Sequence, residues 1–272
     1  MKRQGTRRAA LVMTALLLAS AAFWSAALRQ APVPAKYALP VLMYHHLVAD
    51  GEPCNDMTVT AGRMEEDLKW LRDNGYHTVL PRELADGEDL PKKAVLLTFD
   101  DGYRSNYQLL YPLLEKYRMK AVISIITCMP DLPADNFLSW DMCREMTDSG
   151  LVEIGSHTNH LHNLGDQGGC FDPDGINGIQ RDPAESDEEF RARVLDDIQK
   201  SYDRITWEVG RPTFFAYPFG VVEPEAEDLI EELFPVTAVT RPGITDLRKG
   251  TRQMPRLTVT MDAPLEKLLK RT

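Results

Sequence analysis

Short apolar runs that alternate one for one with amphipathic helical stretches are the feature that most constrains this chain. Residues 40–44 (PVLMY), 77–80, 93–99 (KAVLLTF), 121–126 (AVISII), 151–154, 213–216 and 236–240 are each the length of one buried strand, and 256–259 offers one more. The intervals carry helical faces. Beyond Thr60, Met64, Leu68 and Leu71 share one face and Gly75 ends it; over 107–117 the face is Leu110, Leu114 and Tyr117. Ser139 caps a helix running to Gly150, and a last helix covers about 225–233. Ser186 with Glu189 forms a capping box ahead of Phe190, Val194, Ile198 and Ile205. Single strands separated by helices predict an α/β fold with a parallel sheet and helices outside. About seven such units predict a distorted or incomplete (β/α) barrel, in which chemistry gathers at the C-terminal ends of strands.

The unusual polar residues fall at those ends. Asp100-Asp101-Gly102 follows the 93–99 strand, and His157, His160 and His162 follow the 151–154 strand. Tyr217-Pro218-Phe219-Gly220 follows the 213–216 strand, and His45-His46 the first strand. Five of the six histidines thus sit at two strand ends. Taken alone, Asp-Asp-Gly is an ordinary turn. Taken together, a carboxylate and two imidazoles describe a metal site with positions left open, the catalytic rather than the structural kind. Motifs for other chemistries are missing: the sequence holds no HExxH, GxSxG, GxxxxGK or GxGxxG. The Asp172-Pro173-Asp174 loop fails the calcium pattern at Ile176 and Asn177.

Charge bears on location and partners. The net charge is −10, which argues against nucleic acid as a partner. Residues 1–35 nevertheless hold five basic residues and no acidic one, and 9–28 is almost unbroken Ala, Leu, Val, Met and Phe. A positive flank before an apolar run predicts a signal peptide or an N-terminal membrane anchor over 1–28, then a linker over 29–39, with the catalytic domain at 40–272 outside the cytoplasmic membrane or secreted. Cys54, Cys128, Cys143 and Cys170 match no zinc or redox spacing; in an exported chain two could pair, with the partners left open. The irregular 163–183 stretch leaves the strand end that carries the histidines and is expected to edge a substrate groove.

The motifs together resemble the polysaccharide deacetylases with a NodB-homology domain (carbohydrate esterase family 4). Thr98-Phe99-Asp100-Asp101-Gly102 matches that family's TFDDG motif outright. The histidine motif here has Leu161 where the common form has its second ligand, so the chain looks like the poly-N-acetylglucosamine deacetylase branch, with the ligands five apart. Phe215 to Gly220 and Leu42-Met43-Tyr44-His45 are similar to further motifs of that branch, and the resemblance spans roughly 40–259. It implies the NodB-homology fold and metal-dependent hydrolysis of acetamide groups on an N-acetylglucosamine-containing polysaccharide. It implies a divalent metal ion, zinc first, with cobalt, nickel or iron as alternatives.

Site residues follow from the same resemblance. Asp101, His157 and His162 are the implied ligands, and Asp100 the general base. The backbone N–H of Phe219 is the implied oxyanion donor, and His45 the general acid. Periodicity does not choose between His45 and His46, since both strand faces are apolar. Ala216 stands where the commoner branch has an Arg that orients the base, and Arg256 is the candidate substitute. Tyr217, Pro218 and Trp140 are offered as substrate-binding residues, the aromatic ones by stacking on sugar faces.

Overall fold

The computed structural model describes residues 33–132, 135–162 and 179–269. Its centre is a curled, wholly parallel sheet. The strands are β1 (Val41–Tyr44), β2 (His77–Val79), β3 (Ala94–Phe99), β4 (Ala121–Ile125), β5 (Val152–Ser156), β6 (Phe214–Ala216), β7 (Val236–Ala238) and β8 (Leu257–Thr258). They lie in the order β7-β6-β5-β4-β3-β1-β8, and β2 pairs with β3. This is the distorted, incomplete barrel that the alternating pattern predicts. Among the described residues, five longer helices connect the strands: α1 (Ala61–Asp73), α2 (Tyr111–Tyr117), α3 (Trp140–Asp148), α4 (Asp187–Val209) and α5 (Pro224–Leu233). Among the described residues no helix is long and apolar enough to cross a membrane. The expected signal or anchor over 1–28 lies outside the described residues, as do 163–178 of the irregular stretch.

Local chemistry sets the boundaries. The Thr60 and Ser139 hydroxyls accept from the N–H groups of Arg63 and Met142, and Ser186 and Glu189 close a reciprocal capping box. Ahead of α2 the chain takes a π-turn over Asn106–Leu110, where Pro112 supplies no N–H to the preceding turn. The folded unit begins at Pro34, ahead of the expected domain start. Ala38–Leu39 pairs with Thr245–Asp246 and buries Leu39, so the end of the expected linker belongs to the domain.

Strand parity sorts the core into two sides. On β3, Val95, Leu97 and Phe99 join the cluster under the helices, while Ala94 and Leu96 join the barrel interior. On β6, Phe214 and Ala216 face the interior, and Phe215 and Tyr217 pack with Phe190, Val194, Ile198 and Ile230. The barrel's gap is bridged by one segment. Met254 pairs with Ala238 beyond β7, and three residues on Leu257 pairs with Leu42 of β1. Arg256 sits between these two contacts and is fully buried.

Candidate active site

The end of β3 delivers two adjacent carboxylates in two directions. Thr98 and Asp100 share the interior parity of Leu96, and both meet Arg256 there. Its Nη1 donates to Asp100 Oδ1 at 2.8 Å and to Thr98 Oγ1 at 3.1 Å, and its Nη2 donates to Asp100 Oδ2 at 2.7 Å. Arg256 Nε donates to the Val239 carbonyl at 3.0 Å, which aims the guanidinium. The bidentate fork is the strong form of this interaction. Burial pushes the Asp100 pKa up, but the charges of Arg256 and His157 outweigh it, and the carboxyl sits below its ordinary value.

Asp101 turns away because its backbone is left-handed, with φ +73°. Gly102 follows at φ +79°, and a Cβ there would come within 2.8 Å of Ile125 Cγ2, so the turn needs glycine. The Asp101 carboxylate lies 3.5 Å from His157 Nε2 and 3.3 Å from His162 Nε2. Ligand atoms of Asp101, His157 and His162 all lie within 4.8 Å of one another, and all three residues are buried. Burial opposes ionisation of Asp101, yet hydrogen bonding with His162 and the charges of His45 and His157 hold its pKa well below the usual carboxylate range.

His157 continues the interior parity of β5. Its Nδ1–H donates to the Ala216 carbonyl at 2.7 Å, which leaves the Nε2 lone pair facing Asp101. Burial lowers its pKa to about 4, so the ring is neutral at pH 7, as a ligand must be. One carboxylate with two imidazoles suits a first-row divalent cation. His160 differs: its backbone N–H donates to Asp197 on α4 at 2.7 Å, and its side chain is not in the triad.

The other expected residues separate into two groups. His45 lies between β1 and the short strand His46–Val48, and its carbonyl accepts from Asn106 Nδ2 at 3.0 Å. It continues the parity of Val41, an interior residue, and its charge acts on both Asp100 and Asp101. His46 instead rests against the ring of Tyr103, centroids 4.7 Å apart. Phe219 is half-exposed at φ +56°, with its ring 4.8 Å from that of His162. Gly220 completes this turn, since a Cβ there would collide with Thr240 Oγ1.

Three expectations are corrected. Tyr217 is fully buried, edge-on to Phe215 on the helix side of β6, so no ring face is left for a sugar. Pro218 is buried with it. Trp140 is buried at the start of α3, where its Nε1–H donates to Asp131 and the Arg204 guanidinium covers its ring. In this structure all three are packing residues. The sequence reading also passed over Asp197, which accepts from the N–H groups of Asn159 and His160. A signal for it existed: a carboxylate on the helix face that carries Phe190, Val194, Ile198 and Ile205. Among the cysteines, Cys128 is disulfide-bonded, and Cys54 and Cys143 are free.

Residues 87–234 match the family described as polysaccharide deacetylase. The chain is 32% identical over 232 residues to a Bacillus subtilis protein named as a polysaccharide deacetylase, YxkH, covering 83% of this chain and 72% of that one. It is 32% identical over 216 residues to the Escherichia coli poly-beta-1,6-N-acetyl-D-glucosamine N-deacetylase, covering 71% of this chain and 32% of the relative. The match thus spans about a third of the E. coli protein's length. Among solved structures, a de-N-acetylase from Aggregatibacter actinomycetemcomitans superposes with a TM-score of 0.70 at 26% identity, over 85% of this chain and 100% of that one.

Proposed function

The chain belongs to the polysaccharide deacetylase family, and on that premise we propose that it hydrolyses the acetamide groups of an N-acetylglucosamine-containing polysaccharide, releasing acetate and leaving a free amine. The observation that carries this reading is the juxtaposition at the ends of β3 and β5. An Arg256-paired carboxylate sits next in sequence to a carboxylate facing two histidines. The relatives named for poly-N-acetylglucosamine favour that polymer.

Asp101, His157 and His162 would hold a divalent cation, zinc by the chemistry of the donor set. When bound, such an ion supplies Lewis acidity toward the acetyl carbonyl and the attacking water. The remaining work falls to the chain. Asp100, held ionised by Arg256, takes a proton from the attacking water. The N–H of Phe219 donates to the oxyanion as the carbonyl carbon becomes tetrahedral. His45 gives a proton to the departing nitrogen, so that the C–N bond breaks to an amine rather than to its anion. Water and acetamide are consumed, and acetate and amine are formed. We place the reaction outside the cytoplasm: the charged-then-apolar start supports export, and the Cys128 disulfide supports an oxidising compartment.

Acetate release from poly-β-1,6-N-acetylglucosamine, chitin oligomers, peptidoglycan and acetylxylan, each with and without chelator, tests the reading. Chelator-sensitive release from an N-acetylated polymer is expected. Release from acetylxylan alone would make the protein an O-acetyl esterase, and no release from any polymer would leave it a binding relative.

A further inference from the structure

We infer that Asp197 and Thr127 are positioning residues for the metal site, holding the loop between His157 and His162 in the shape that turns both imidazoles toward Asp101. The inference rests on the reading of that triad as a cation's ligands.

The loop has to bring its two histidines to one carboxylate within five residues, and its backbone does not favour this. Thr158, a β-branched residue, sits at φ +73°. The bonds that over-determine it come from two neighbouring elements. Beyond β4, Thr127 N–H donates to the Thr158 carbonyl at 3.1 Å, and Thr127 Oγ1 donates to Asn159 Oδ1 at 3.0 Å. From α4, the two oxygens of Asp197 each take one of two consecutive amides, Asn159 N–H at 2.8 Å and His160 N–H at 2.7 Å. One turn further along α4, Ser201 bonds Ser156, whose Oγ accepts from Thr158 N–H at 3.1 Å.

Asp197 is only 6% exposed and has apolar neighbours on its helix face, where burying a carboxylate is unfavourable. Its placement makes sense for the loop rather than for the core. Only a carboxylate offers an acceptor to each amide from this position; an Asn would turn an N–H group toward one of the donors. Groups that orient ligands from behind in this way commonly change metal affinity by about 10- to 100-fold.

The test uses the full 272-residue chain, stripped with chelator and titrated with Zn²⁺ against a competing indicator. Asp197→Asn is expected to weaken zinc about 10- to 100-fold. Thr127→Val, which removes one neutral hydrogen bond, is expected to weaken it about 2- to 10-fold. Urea unfolding of the metal-free forms separates affinity from stability. A folded Asp197→Asn with wild-type zinc affinity overturns the inference; if that variant does not fold, Thr127→Val decides, and wild-type affinity there overturns it. The underlying reading fails differently. If His157→Ala binds zinc as the wild type does, the triad is not the site, and the inference falls with it. A wild type that binds zinc yet releases no acetate refutes only the substrate, and a weakened Asp197→Asn still upholds the positioning role.

Discussion

Replacing Arg256 by Met removes a cation from the least exposed ion pair of the site and leaves its partner behind. Arg256 is fully buried, and Asp100 is 2% exposed. The substitution deletes two charge-assisted hydrogen bonds of 2.7–2.8 Å and the bonds to Thr98 and Val239. Two outcomes compete. Where both charges are replaced by apolar groups of similar volume, a buried pair often costs little to lose; where one is removed, the survivor is stranded, at about 3–5 kcal/mol. Arg256→Met is the second case. For a domain of this size that corresponds to a fall in Tm of about 6–20 °C. Asp100→Leu with Arg256→Met is the first case, and the double variant should lose less than the sum of the two single changes, with a coupling of about 0.5–3 kcal/mol. Urea unfolding of all four forms, with chelator present so that metal binding does not enter, measures the cycle. A single-variant loss below about 1 kcal/mol, or additive losses, would refute the argument that the Asp100 charge depends on Arg256.

Three further outcomes are expected. His45→Ala should lower acetamide hydrolysis by about 10²–10⁴-fold while sparing an activated aryl acetate, whose leaving group needs no proton, with bound metal unchanged; equal losses on both substrates would remove His45 from the proton step. In native protein an alkylating reagent should label the exposed Cys54 and not Cys143, whose thiol is buried and pushed up to about 12, and peptide mapping that finds native Cys143 modified would contradict its placement. Burial raises Asp197 to about 6 from an ordinary 3.8, so its protonated form favours folding. That contribution is complete below about pH 4 and is lost as pH rises through about 6, a decline of about 3 kcal/mol that Asp197→Asn should lack when the two unfolding free energies are compared across pH 4–7. Parallel curves for the two forms would show that Asp197 ionises freely in the folded state.

Much of the fold was legible because its signals are local. A run such as 93–99 is apolar on both faces because a parallel strand is buried on both. Caps at Thr60, Ser139 and Ser186 act within three residues of themselves. The strand-end motifs also carried their own order, and through the family resemblance that order implied Asp101, His157 and His162 together before any distance was known. Parity was legible too, but only once the interior side was known: the alternation that puts Ala216 inside puts Tyr217 under the helices. Trp140 at the start of α3 and Pro218 in the turn after β6 take packing positions that their aromatic or cyclic character does not reveal. What no local rule contains is the company that residues keep across the chain. Arg256 reaches Asp100 over 156 residues because the segment from Met254 to Leu257 spans the gap between β7 and β1, a closure set by how the strands curl. Asp197 meets the histidine loop because α4 packs along β5. A buried charge is tolerable only where its partner is, and where the partner is depends on the packing of the whole sheet.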